Sequence, residues 1–193
     1  HGATPESAYG LSWFGVFIAS HYEAYEDGLA YGLAAMALID RHGYEAERIA
    51  TLVAVDQVSP WTRPLAHALG HAQWAVRQGL ASGDIGMACY ARNHIASDLL
   101  AMGEHLRLVL EEIEQGLALT RQIQYRDIEL ILNSQKHFVL RLSTGDDALN
   151  GAEAPGNAGG RLASSNSQPT RFWIWLYDGM ASAFRGEWTQ AQH

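Results

Sequence analysis

The feature that most constrains this chain is a punctuation mark repeated about every 40 residues: His42-Gly43-Tyr44, Ser82-Gly83-Asp84 and Ile123-Gln124-Tyr125. Gly43 and Gly83 are suited to the left-handed backbone that closes a helix, and Asp84 can accept hydrogen bonds from the first amides of the next one. Between the breaks the apolar residues recur at helical spacing. Leu106, Val109, Leu110, Ile113 and Leu117 form one stripe, with Arg107, Glu111, Glu112 and Glu114 on other faces. Ile85, Ala88, Cys89, Ile95, Leu99 and Met102 form a second stripe, and Leu65, Leu69, Ala72, Val76 and Leu80 a third. Glu23 to His42 and Tyr44 to Gln57 read the same way. Secondary turns fall at Ser59-Pro60-Trp61-Thr62 and Met102-Gly103-Glu104, with Thr62 as the expected cap and Pro64 in the first turn of the following helix. No segment sustains a period of two, and Asn150-Gly151 lies in a polar stretch instead of between β-branched runs.

Two helices per ~40-residue unit is the pattern of a helical solenoid. The expected fold is therefore all-α: an α-α superhelix resembling a tetratricopeptide (TPR-like) solenoid of about four to five helix pairs. Residues 1–8 read as a tag or disordered start, 9–142 as the helical-repeat array, and 143–169 as a flexible Gly/Ser/Asn-rich loop. Residues 170–188 read as a C-terminal aromatic helix of the same array, and 189–193 as a disordered end, so that the chain stops inside the array. The helix from Thr170 to Arg185 is apolar on two faces, one with Phe172, Trp175, Leu176 and Ala183, the other with Trp173, Tyr177, Met180 and Phe184. Such a helix is expected to be covered on both sides, and the N-terminal helix with Tyr9, Trp13, Phe14 and Phe17 likewise. Exposed repeat ends of this kind favour a homodimer.

Composition removes several functions. An apolar content of 48% is enough for a core, and 13 basic against 21 acidic residues, a net charge of -8, speaks against a nucleic-acid surface. The single cysteine, Cys89, permits no internal disulfide and no multi-cysteine zinc site, and fits a cytoplasmic setting. No apolar run approaches the ~20 residues that cross a bilayer.

The chemistry-bearing candidates are few. His67 and His71 stand four apart on one helical face, the spacing with which two imidazoles share a zinc ion. The intervening residues lack the glutamate of a zincin helix, and a third ligand would have to come from His94, His105 or Glu104. With nine histidines in the chain, one such pair carries little weight, and no metal or cofactor is expected. The same helix also aligns Arg63, His67, His71, Trp74 and Gln78 as a polar and aromatic ridge, a composition favoured in partner-binding hot spots. Cys89 lies on an apolar stripe and reads as an inert small hydrophobe. Asp146 and Asp147 read as a solvated loop pair, and no nucleophile elbow, phosphate loop or dinucleotide fingerprint is present. No catalytic residue is assigned.

The stretches Ser59 to Leu65, Ala81 to Asp84, Asn93 to Gly103 and Glu111 to Arg121, together with Phe172 to Tyr177 and Phe184 to Trp188, carry a resemblance. They resemble the tetratricopeptide-like helical region of large bacterial multidomain signalling ATPases. In those proteins the region follows a predicted AAA/STAND-type ATPase, often with a serine/threonine-kinase-like domain in front and GAF and sensor histidine-kinase domains behind. The resemblance spans roughly Tyr9 to Trp188 and rests on turn and packing residues. It implies a non-catalytic interaction or regulatory module that binds a protein partner or neighbouring domains of the parent chain, with no nucleic acid and no membrane. The alternatives are a small-molecule-sensing helical domain and a metal-dependent enzyme using His67 and His71.

Overall fold

The computed structural model describes residues 2–144 and 165–191, and every regular element among them is helical. Eight helices of 11 to 19 residues follow one another: α1 (Pro5–Tyr22), α2 (Tyr25–His42), α3 (Arg48–Val58), α4 (Leu65–Ser82), α5 (Ile85–Ala101), α6 (Leu106–Gln122), α7 (Arg126–Thr144) and α8 (Gln168–Phe184). A short α9 (Trp188–Ala191) follows, and 3-10 turns at Glu45–Glu47 and Ser59–Trp61 flank α3. The chain divides into two compact units, His1–Met102 and Gly103–His193.

The helix ends form where local chemistry places them. Gly43 (φ 72°) closes α2 by donating its N–H to the Ile39 carbonyl at 2.8 Å, and Gly83 (φ 86°) closes α4. Asp84 caps α5, its carboxylate accepting from the Met87 amide at 3.2 Å. Other boundaries depart from expectation. Helix α1 already starts at Pro5, inside the segment expected to be disordered, because Thr4 and Ser7 satisfy one another's groups and proline suits the first helical position. Helix α4 starts after Pro64, which is its cap, while the hydroxyl of Thr62 is buried without a partner. At the other end, α9 occupies residues expected to be disordered. Of the expected loop, Ser143 and Thr144 end α7, Gln168 and Pro169 begin α8, and 145–164, with Asp146-Asp147 and Asn150-Gly151, lie outside the described residues.

In the first unit α3 is the centre. Eight of its 11 residues are buried, because it packs against α1, α2, α4 and α5. Ile49 and Val53 join Ala72, Ala75, Val76, Ala91 and Ile95 in one core cluster, whereas Val55 and Val58 join Ala19 and Leu29 in another. Contact between helices is made largely by small residues. A Cβ added at Gly28 would lie 2.6 Å from the Gly15 carbonyl oxygen, and one at Gly79 would lie 2.9 Å from the Asp84 carbonyl oxygen. This choice turns α1 round: its buried side is Ala8, Ser12, Gly15, Ile18 and Ala19, so Tyr9, Phe14 and Phe17 face outward instead of being covered. The tyrosine Tyr44 ties the two ends of the hairpin together, donating its hydroxyl to the Ala3 carbonyl at 2.8 Å.

In the second unit α7 packs against both α6 and α8. Val109, Ile113 and Leu117 from α6, Leu132, Phe138 and Val139 from α7, and Ile174, Tyr177 and Ala181 from α8 are buried. The Gln135 side-chain amide donates to the Tyr177 hydroxyl at 3.0 Å within this core, and Lys136 pairs with Glu114 at 2.6 Å. Helix α8 is covered on one face only: Phe172, Trp175 and Phe184 are exposed, where the sequence predicts burial on both sides. None of the described helices is long and apolar enough to cross a membrane.

Candidate functional site

The ridge read from the sequence is divided by depth. Arg63 stands on the turn before α4, exposed, with its guanidinium donating to the Thr62 carbonyl at 2.8 Å and to Glu26 at 3.3 Å. His67 and Gln78 are exposed, whereas His71 and Trp74 are half-buried. Trp74 packs against the cluster of Ile49, Val53, Ala72, Ala75, Val76, Ala91 and Ile95, so its indole is committed to the core. Replacing Trp74 by alanine is expected to lower stability by about 2–4 kcal/mol, whereas His67→Ala, in solvent, stays within about 0.5 kcal/mol. Urea unfolding of both variants checks this, and equal midpoints would place Trp74 outside the core.

Behind His71 lies a polar cluster that the sequence reading missed. Asp56 of α3 is 2% exposed, and one of its oxygens accepts a hydrogen bond from Nδ1 of His94 on α5. One turn further along α5, Asp98 is 7% exposed. Burial first, then the negative charge of Asp56 and a hydrogen bond with it, push the Asp98 carboxyl up to about 8. Two buried carboxylates side by side cannot both hold charge cheaply, so the pair keeps a proton on Asp98. Asp56 Oδ1 and Asp98 Oδ2 are buried and have no hydrogen-bond partner among the described residues. The Tyr90 ring lies 4.9 Å from the His94 ring, and burial holds His71 below the usual imidazole range despite the attraction of Asp56.

One signal for this cluster was in the sequence. Asp56 interrupts the apolar run Leu52-Val53-Ala54-Val55, and His94 and Asp98 share one helical face. What the sequence did not carry was that α3 and α5 pack together. The arrangement can hold and exchange one proton between buried groups, and it locks α3 to α5. Among the described residues no three His, Cys, Asp or Glu side chains are grouped as metal ligands. His94 is engaged by Asp56, and His105 caps α6 by accepting from the Arg107 amide at 3.1 Å. Cys89 is buried, and burial raises its thiol to about 11 despite Arg92, as befits an unreactive packing residue.

Each unit is all-α among its described residues, the first with a buried carboxylate–imidazole cluster, and each exposes large aromatic side chains of its own. Compared with known protein families, curated proteins and solved structures, the chain matches none.

Proposed function

We propose that this chain is a non-catalytic interaction and regulatory module of a bacterial signalling ATPase or kinase, working in the cytoplasm as part of a TPR-like superhelix. The observation that supports this reading most is the aromatic surface. Tyr9, Phe14, Phe17 and Tyr22 on α1, and Phe172, Trp175, Phe184 and Trp188 at the C-terminal end, are each at least 45% exposed. Isolated exposed apolar residues are ordinary, but rows of large aromatics along single helices are a composition of protein interfaces. The resemblance to helical regions of signalling ATPases supplies the kind of partner: a neighbouring domain of the same parent chain, or a protein that reports to it. The metal-enzyme reading would need a third ligand beside His67 and His71, and among the described residues no such group of three is found.

The test is a calorimetric titration of this chain with the neighbouring ATPase domain of the parent protein. Micromolar or tighter binding is expected, weakened at least about tenfold by Phe172→Ser with Trp175→Ser, since buried aromatic anchors carry ~1.4 kcal/mol or more each. No binding by wild type, or binding indifferent to both substitutions, would remove α8 as a docking face.

A further inference from the structure

The α1–α2 hairpin carries an aromatic seam whose chemistry is distinct from the rest of the surface. Phe14, Phe17 and Tyr22 follow one another along α1, 46%, 49% and 66% exposed. The Phe14 and Phe17 rings are 6.3 Å apart, and Phe17 meets Tyr22 edge-on at 6.0 Å and stacks on His21 at 5.3 Å. Across the hairpin, Tyr31 of α2 stands edge-on to Phe14 at 5.1 Å. From Phe14 to Tyr22 the row is about 12 Å long at the helical rise, two turns of a helix laid along it.

The seam is rigid. Gly15 and Gly28 bring the two backbones into direct contact at the crossing, leaving no room for the helices to slide without losing it. The backbone beneath the aromatics is therefore a preformed platform, and a partner would have little backbone ordering to impose there.

Charge selects the partner. The first 40 residues contain no lysine or arginine and five acids, Glu6, Glu23, Glu26, Asp27 and Asp40. Three of these, Glu23, Glu26 and Asp27, are exposed at the Tyr22 end of the seam, and among the described residues only Glu26 is engaged by a cation, Arg63 at 3.3 Å. An aromatic face rimmed by uncompensated acids attracts cations twice over, through Coulomb attraction and through the ring faces. The same rim disfavours a second copy seated face to face, where the acids would oppose their own equivalents, and it repels anionic lipid and nucleic acid.

We propose that the open seam of the α1–α2 hairpin docks a basic amphipathic helix, with aliphatic side chains between Phe14, Phe17 and Tyr31 and Lys or Arg against Glu23 and Asp27. The inference deepens the reading as an interaction module and rests on it, but concerns a face separate from α8. Helix-in-groove recognition uses apolar anchors at i, i+3 or i+4 and i+7, a span that two turns of exposed aromatics match.

The probe is an 18-residue helical peptide with leucines along one face and lysines flanking it, compared by fluorescence anisotropy with the same peptide carrying glutamates in place of the lysines. The full chain is expected to bind the basic peptide at least about tenfold more tightly than the acidic one, with affinity falling as salt rises. Phe14→Ser with Phe17→Ser should weaken binding at least tenfold, and Glu23→Gln with Asp27→Asn should remove most of the salt dependence. Circular dichroism checks that each variant keeps its helices. Equal binding of the two peptides, or peptide affinity indifferent to the seam variants, would overturn the proposal while leaving the α8 titration to stand or fall by itself. Dimerisation in sedimentation that Phe17→Ser abolishes would also overturn it, assigning the seam to a second copy.

Discussion

Asp98→Asn is expected to make the first unit more stable than wild type at pH 8.5 by about 2 kcal/mol or more, and to leave it little changed at pH 4.5. The sign follows from the proton. In the folded chain Asp98 titrates near 8, raised from an ordinary value of 3.8, so between those values the folded state holds a proton that the unfolded chain has released. The contribution is full below about pH 4, declines through the interval, and is gone once the pH passes 8. A shift of this size corresponds to several kcal/mol at most, and residual hydration of the pair reduces it. Asparagine keeps the shape and a donor for Asp56 while removing the charge that would appear.

His71 works in the opposite direction. Its lowered value means that the unfolded chain binds the proton more readily, so His71 adds stability as the pH rises toward 6.5 and withdraws it on acidification. Below pH 6.5 the two slopes oppose one another, so the wild type should lose stability most clearly between about pH 6.5 and 8, and Asp98→Asn should lack that alkaline decline while weakening on acidification through His71. Melting curves from pH 4 to 9 on both proteins measure this. An alkaline loss of the same size in Asp98→Asn would mean that another group holds the proton.

The second large effect is expected at the α1–α2 crossing. Gly28→Ala places a methyl 2.6 Å from the Gly15 carbonyl oxygen and 2.8 Å from Ala19 Cβ, and neither can move without parting the helices. Overpacking of this kind costs about 1–3 kcal/mol, and Gly28→Val more, against the ~1 kcal/mol that replacing a helical glycine would otherwise return. Gly10, in the same hairpin, provides the internal comparison. Nothing lies within 4 Å of a Cβ added there, so Gly10→Ala should stabilise by about 0.5–1 kcal/mol. Chemical denaturation of the three variants should give opposite signs for Gly28 and Gly10. If both substitutions stabilise, α1 and α2 do not meet through their glycines.

That contrast also marks where sequence reading stopped. Helical periodicity identified the positions of the helices well but chose the wrong buried side in α1 and ran one residue too far in α4. In α1 it favoured Tyr9, Trp13, Phe14 and Phe17, and in α4 it favoured a stripe including Leu80, which is 44% exposed. The closest approaches are held by small residues, Gly15 and Gly28 at the α1–α2 crossing and Ala68, Ala75 and Gly79 beside the expected Ala72 and Val76 in α4. Hydrophobicity ranks large residues first, whereas closely approaching backbones demand small ones. The ridge on α4 divides by depth for a related reason: Trp74 has a place against the core, one made by α3 and α5 as much as by its own helix.

The sequence by itself determined the helical content and most helix ends, because caps and left-handed glycines act within a few residues of the chain. Gly43, Gly83 and Asp84 did so through their own backbone and side-chain chemistry. Which faces are buried, and which charged groups meet, was decided only by tertiary structure. Asp56 and Asp98 are 42 positions apart, and no local pattern records that packing α3 against α5 would bring their carboxyls together away from water. The aromatic seam is the other side of the same decision: once glycines had been spent on the α1–α2 contact, Phe14 and Phe17 had only the surface left to occupy.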